Sequence, residues 1–390
     1  MSDQELYCIC NGPYHDNEFM IQCDVCNDWF HGRCIGIEEY EASRIDTYHC
    51  PKCSDLFGPL TCKKDFSYEN SHNLLAIQNG NVSFVKQLDD RNFSCGEEII
   101  LNLTGADLSP NFLESEGFRR PILVKNKSDL DITVPPATFT VADVERYVGS
   151  MRNLDVIDVA RQAHINMKMR EWTEYYNSSD RKRVLNVISL EFSDTRLSDL
   201  IEAPAIVRHI DLLKHVWPKF SSETGPFRRP QVKKYCLMSV KASYTDFHID
   251  FGGSSVWYHV LKGEKVFYLI EPTPENLITY EQWVSSKLQN EVFLGDEMQC
   301  YKCRIRQGET LFIPTGWIHA VYTPTDSLVF GGNFLHFLNM ELQLKVYDLE
   351  IRLNTPEKFL FPFFETCIWY SGRYLVDLRG GDSESNLKYH

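Results

Sequence analysis

The chain has 390 residues, 43% hydrophobic and 13% aromatic, which suits two or three domains with a sizeable core. It holds no run of eighteen apolar residues, and its start, MSDQELYCIC, has neither a basic nor an apolar leader segment, which argues against a membrane span or a secretory signal. A net charge of −14 argues against a surface built to grip a phosphate backbone; strong direct DNA binding is not expected, and a basic partner is favoured.

Residues 5–55 read as a first domain. Seven of the thirteen cysteines fall within the first 53 residues, and in a reducing compartment such clustering reads as metal binding before disulfides. The segment has no sustained apolar periodicity, so its fold has to come from metal rather than from a core. The candidate ligands run Cys8, Cys10, Cys23, Cys26, His31, Cys34, Cys50 and Cys53, enough for two tetrahedral zinc sites. Pairs one or two residues apart can turn both sulfurs toward one ion.

With the histidine fifth among the ligands and Tyr48 two residues before Cys50, this stretch resembles a PHD finger; a RING domain has its histidine fourth. The resemblance implies interleaved sites, with Cys8, Cys10, His31 and Cys34 on one zinc and Cys23, Cys26, Cys50 and Cys53 on the other. It also implies that Tyr7, Tyr14, Met20 and Trp29 wall an aromatic cage, where ring faces hold a methylated ammonium by cation–π attraction. Met20 equally suits the small core of the finger. Asp24 and Asp28 offer carboxylates to an arginine or amine of a peptide lying beside the cage.

Residues 56–82 are polar and mixed, with the turn signal Gln78-Asn79-Gly80-Asn81, and read as a linker. Residues 83–194 alternate short apolar runs, such as Pro121–Val124, with helix-like stretches such as the one opened by Thr140, a mixed α/β lead-in. Residues 195–350 carry strand-like segments, KYCLMSVKA, SVWYHVL, EKVFYLI, ETLFIP and LVFGGNFLHF, separated by turn residues, which predicts a jelly roll. From Asn339 the apolar spacing turns helical, and residues 351–390 read as a helical segment with a polar end.

Within the strand-rich region, His248 and Asp250 stand two apart in a strand-like run, so both project from one face. His319, in FIPTGWIHAV, offers a third ligand from a later strand. Two histidines and one carboxylate suit non-haem iron(II). Lys265 sits in the apolar run GEKVFYLI, where a bound anion accounts for it better than packing does.

These motifs, together with LNVISLEFSDTRLSDL, SYTDFHIDFGGSSVWYHVLKGEKVFYLI and FGGNFLHFLN, resemble the JmjC oxygenases, specifically the lysine-specific demethylase 7 group, from the finger to about Tyr370. The implied fold is a PHD finger followed by a double-stranded β-helix with surrounding and C-terminal helices. The implied iron ligands are His248, Asp250 and His319. Thr245, Lys265 and Tyr258 would hold 2-oxoglutarate, and Asn186 and Asn333 would flank the cosubstrate or the methyl-lysine. The implied activity is a nuclear, chromatin-directed removal of methyl groups from di- and monomethyl-lysine 9 or 27 of histone H3, with the finger reading trimethyl-lysine 4 on the same nucleosomal tail. Lysine 4 and lysine 9 are about 17 Å apart in an extended tail, against roughly 80 Å to lysine 27. A flexible linker of this length spans roughly 30 Å, so its geometry is expected to decide which mark is reached. His259 and His336 read as core histidines outside the site, and Cys300 and Cys303 as free thiols.

Overall fold

The computed structural model describes residues 6–14, 18–37, 42, 45–58, 60–62, 84–85, 87–88, 91–218, 229–286, 289 and 292–380. Most of the expected 56–82 linker, and the polar end from residue 381, lie outside them. The backbone divides into two compact units, Met1–Leu75 and Ala76–His390.

The first unit is built from two-stranded ribbons: β1 (Leu6–Tyr7) with β2 (Gly12–Pro13), β3 (Met20–Gln22) with β4 (Trp29–His31), and β5 (Ile45–Thr47) with β6 (Thr61–Cys62). A helix, Pro51–Phe57, starts directly after Cys50, with proline at its first turn, where a missing N–H leaves no bond unmade. Among the described residues the buried apolar core is Cys23, Phe30, Tyr48 and Cys50, with a rim of partly buried residues such as Ile21 and Ile35. That is too little apolar surface to hold a fold alone.

In the second unit, one sheet gathers β7 (Ser94–Cys95), β8 (Leu101–Leu103), β9 (Ile122–Val124), β10 (Asn153–Asp158), β11 (Ala163–Lys168) and β12 (Leu185–Glu191). It continues through β13 (Tyr235–Ser239), β14 (Tyr244–His248), β15 (Ser255–Ile270), β16 (Tyr301–Arg306), β17 (Thr310–Ile313) and β18 (Ile318–Phe334). The pairings are antiparallel apart from β7 with β16 and β8 with β9.

Two long strands make this sheet a double-stranded β-helix. The first half of β15 pairs with β17 and its second half with β16, while β18 pairs with β14 at its start and β13 near its end. The segments SVWYHVL and EKVFYLI, expected as separate strands, are therefore one strand, and LVFGGNF continues the strand that carries Ile318–Val321. Gly263 explains the first case: at φ +76 it bends the chain through register shifts around Lys262 and Glu264 without ending the pairing to β18. A Cβ at Gly263 would lie 2.2 Å from the Asp326 carbonyl oxygen, so only glycine fits.

Both halves turn Tyr258, Val260, Phe267, Leu269, Leu311 and Val329 into a shared interior. On the outer side, helices Val141–Val148 and Met169–Asn177 pack Val144 and Trp172 against Leu154, Val187 and Phe330. The first of these opens with the expected cap, Thr140 and Asp143 each satisfying the other's backbone N–H. Helices Met340–Arg352 and Phe364–Gly380 follow β18, the second seating Phe364 and Cys367 beside Leu213 and Leu335. Among the described residues no helix is long and apolar enough to cross a membrane.

Candidate active site and metal centres

In the finger, the ligand atoms of Cys8, Cys10, His31 and Cys34 lie within 4.8 Å of one another, as do those of Cys23, Cys26, Cys50 and Cys53. Antiparallel ribbons produce this interleaving: β4 ends on His31 opposite Met20, and the Cys50 backbone N–H donates to Cys23 Sγ at 3.3 Å. His31 turns Nδ1 to Cys10 Sγ at 3.3 Å, and its Nε2 lies 3.2 Å from the Pro13 carbonyl oxygen. A ring whose second nitrogen donates to a carbonyl presents the first, unprotonated, to a metal.

Trp29 and Met20 project from one face of the β3–β4 ribbon, with Ile21 and Phe30 on the other. Trp29 is 41% exposed and Tyr14 54%, large aromatic surfaces that the small core does not use. β1, which carries Tyr7, packs beside β4. Asp24 and Asp28 are both exposed, and Asp24 Oδ2 accepts from Tyr48 N–H at 2.6 Å.

In the β-helix, His248 ends β14 opposite His319 near the start of β18, with ring centroids 4.2 Å apart. Asp250 lies past the end of its strand, in a turn, so the expected strand parity with His248 does not place it. The turn does, and one ligand atom from each of the three residues falls within 4.8 Å of the others. His248 Nδ1 donates to the Asp246 carbonyl at 2.9 Å and His319 Nδ1 to that of Trp317 at 3.0 Å, which frees both Nε2 atoms for a shared ion. Burial, then the neighbouring His248, lowers the His319 pKa to about 4, so its imidazole is neutral. Asp250 Oδ1 accepts from Asn333 Nδ2 at 3.3 Å, and Asn333 also donates to Ser254 Oγ at 2.9 Å.

A cavity of about 590 Å³ opens beside these ligands, lined among others by Thr245, Tyr258, Lys265 and Asn333. Thr245 and His248 share its wall although three residues apart, because the pairing of β14 with β18 shifts register between them. Lys265 is 2% exposed, and burial pulls its pKa down to about 7. Its ammonium donates to Ser239 Oγ at 2.6 Å and Thr323 Oγ1 at 2.8 Å; among the described residues no carboxylate lies within 4 Å of it.

Among the described residues the Tyr258 hydroxyl, fully buried, has no hydrogen-bond partner, nor does Asn186 Oδ1, while Asn186 Nδ2 reaches Thr245 Oγ1 at 3.3 Å. Buried polar groups left this way are costly unless a ligand completes them. A cationic amine with hydroxyl donors on a closed wall fits an acidic cosubstrate, and the two-histidine, one-carboxylate set fits iron(II). Asn186 stands behind Thr245 and does not line the cavity.

The sequence reading missed Ser239 and Thr323, which no local pattern links to Lys265. It also missed Asp155, His164, Glu191 and Phe359, which line the same cavity; His164 Nδ1 meets Asp155 Oδ1 at 2.8 Å, and its ring centroid lies 5.6 Å from that of Phe359. His259, bonded to Thr310 Oγ1 at 2.8 Å, and His336, at 2.9 Å from Ser255 Oγ, are buried away from the cavity. Cys300 is buried and Cys303 half-buried, and neither joins a group of metal-ligating side chains among the described residues.

A double-stranded β-helix with this triad beside a buried lysine defines a JmjC-type domain, here accompanied by a metal-binding finger. The family models agree: a JmjC domain, hydroxylase, matches residues 235–334, a Jumonji helical domain 338–388, and a UBR7-like PHD finger 4–64. Among curated proteins, the histone lysine demethylase PHF8 of Danio rerio is 52% identical over 99% of this chain and 38% of its own length. The lysine-specific demethylase 7A of Xenopus tropicalis is 50% identical over 95% of this chain and 41% of its own. The lysine-specific demethylase 7B of Danio rerio is 49% identical over 99% of this chain and 67% of its own. The chain belongs to the lysine-specific demethylase 7 family. It spans about two fifths of the length of the first two of these relatives.

Proposed function

We propose that the chain is a histone lysine demethylase dependent on iron(II) and 2-oxoglutarate, acting on di- and monomethyl-lysine 9, lysine 27 or both in the histone H3 tail. In this reading the finger, holding two zinc ions, binds trimethyl-lysine 4 of the same tail, and the protein works in the nucleus on nucleosomes. The observation that carries it is the buried, carboxylate-free Lys265 ammonium on the wall of the cavity that also holds His248, Asp250 and His319. The relatives named for demethylase activity support it.

When bound, iron(II) and 2-oxoglutarate, with oxygen, would supply the oxidising power to hydroxylate an N-methyl carbon, giving formaldehyde and a demethylated amine with succinate and carbon dioxide as coproducts. The chain's residues do the positioning. The His248 and His319 Nε2 atoms and the Asp250 carboxylate would hold the metal beside the cavity. Lys265 would bind the distal carboxylate of the cosubstrate, with Thr245 and Tyr258 adding hydroxyl donors. Asn333 orients Asp250 and faces the cavity, where the methylated ammonium approaches.

The test is incubation with iron, ascorbate, 2-oxoglutarate and H3 peptides dimethylated at lysine 9 or 27, with and without trimethyl-lysine 4, reading product masses beside a His319→Ala control. Loss of methyl groups abolished by the control is expected. A stable gain of oxygen identifies a protein hydroxylase instead, and peptide binding with no mass change identifies a non-catalytic chromatin scaffold.

A further inference from the structure

Glu350 lies in the helix Met340–Arg352 and is buried, 8% exposed. Both of its carboxylate oxygens accept from the backbone N–H of Gly252, at 2.9 and 3.1 Å. Gly252 follows Asp250 by two residues and adopts φ +60. A Cβ there would stand 2.8 Å from Phe361 Cβ and 2.9 Å from the Phe364 ring, and one at Gly253, also at φ +61, would stand 3.0 Å from Val346 Cβ. The turn leaving the Asp250 ligand is thus moulded on the helical segment after the β-helix.

The strands do not hold this turn. β14 ends at His248 and β15 begins at Ser255, so residues 249–254 belong to neither. Asn333 holds the Asp250 carboxylate from one side, but no strand partner fixes the backbone that aims it. A buried carboxyl group is an expensive way to fill space, and an apolar side chain would pack there at less cost. What the carboxylate supplies is a two-oxygen grip on one amide, two residues from a metal ligand.

We propose that Glu350 is a positioning residue for the metal centre, locking the turn so that the Asp250 carboxylate faces the two histidine nitrogens and making the C-terminal helices part of that centre. The proposal rests on the reading of His248, Asp250 and His319 as metal ligands. It is tested by titrating manganese(II), as a stand-in for iron, into the zinc-loaded full chain and measuring free ion by electron paramagnetic resonance, with thermal unfolding in the absence of manganese to confirm that each variant is folded.

Glu350→Ala is expected to weaken manganese binding about 10- to 100-fold, the range found for groups that orient metal ligands. Glu350→Gln, whose amide oxygen still accepts from Gly252, is expected to recover most of it. Should Glu350→Ala fail to fold, Glu350→Asp, which draws the carboxylate back by one methylene, carries the same expectation. A folded Ala or Asp variant that binds manganese as tightly as the unmodified chain overturns the proposal, whatever its loss of stability. Absence of binding in the unmodified chain overturns the metal reading itself, and binding there that His319→Ala abolishes separates the two questions.

Discussion

The finger and the β-helix both gather metal ligands from distant positions, but they stand in opposite relations to their folds. In the finger, Cys23 and Cys50 are two of the four buried core residues, so ligands and core are largely the same atoms. In the β-helix, His248, Asp250 and His319 belong to none of the apolar clusters, which are filled by residues such as Trp257, Phe267 and Phe330. Metal is therefore expected to be a condition of folding in the first unit, whose apolar core is so small, and a passenger on a finished scaffold in the second.

The largest effect expected from this contrast is on chelation. Stripping the metal with a strong zinc chelator removes on the order of 10 kcal/mol of apparent folding free energy from the finger. Its amides are expected to lose hydrogen-exchange protection in β3, β4 and the helix Pro51–Phe57, and methylated-peptide binding to vanish. Ala76–His390 should keep its cooperative thermal transition. Cys23→Ser should reproduce the first result without chelator. Persistent protection of β3 and β4 in metal-free protein would erase the distinction between the units.

The converse experiment is His319→Ala. Turnover is expected to fall to background, because the third ligand is gone, while the melting temperature moves by only a few degrees, as suits a change of roughly 1 kcal/mol in a unit this size. The buried imbalance is small because His319 is neutral in the free site and its bond to the Trp317 carbonyl is its one hydrogen bond to the backbone. Product mass and circular dichroism melts check the two halves. Collapse of the melting transition would show the triad to be structural after all.

The same contrast governs what was legible in the sequence. Zinc ligation is written in residue identity and order, so the eight candidate ligands of the finger could be read, while their division into two groups came from the PHD resemblance; the triad could be read because His248 and Asp250 stand close in a characteristic stretch. Asp24 was not legible: an exposed-looking acid turned out to hold the Tyr48 amide, a contact across 24 residues. Nor was the continuity of β15 and β18, because glycine and turn residues that usually end a strand are here absorbed as bends. Thr245 and His248 share a wall only through a register shift, and Lys265 finds Ser239 and Thr323 from positions 26 and 58 residues away. Pairings of that range are set by topology, which periodicity does not record.

Trp29 offers a sharper, smaller probe of the finger. Its ring is exposed and outside the core, so Trp29→Ala is expected to leave zinc content and folding unchanged while weakening trimethyl-lysine 4 peptide binding by up to about 2 kcal/mol, roughly 30-fold. Calorimetric titration of methylated against unmethylated peptide measures it. Equal loss for both peptides would place Trp29 in the peptide groove rather than the cage.

The smallest effect separates the two anchoring charges by pH. A quaternary ammonium in the cage keeps its charge at every pH, so finger binding should be flat between about pH 6.5 and 8.5. Lys265 behaves otherwise: burial has brought its ammonium from 10.5 to about 7, so the empty site is cationic below pH 7 and neutral above it. Because the dianionic cosubstrate binds the cation, its affinity is expected to be highest below about pH 7 and to fall by up to tenfold per unit above, with one proton taken up on binding. The stability of the empty β-helix runs the opposite way. Between about 7 and 10.5 the unfolded chain holds the Lys265 proton and the folded one does not, so stability rises with pH across that window. Titration of 2-oxoglutarate in buffers of different ionisation heat reads the proton directly, and a flat profile without uptake would mean that Ser239 and Thr323 alone keep the buried ammonium charged.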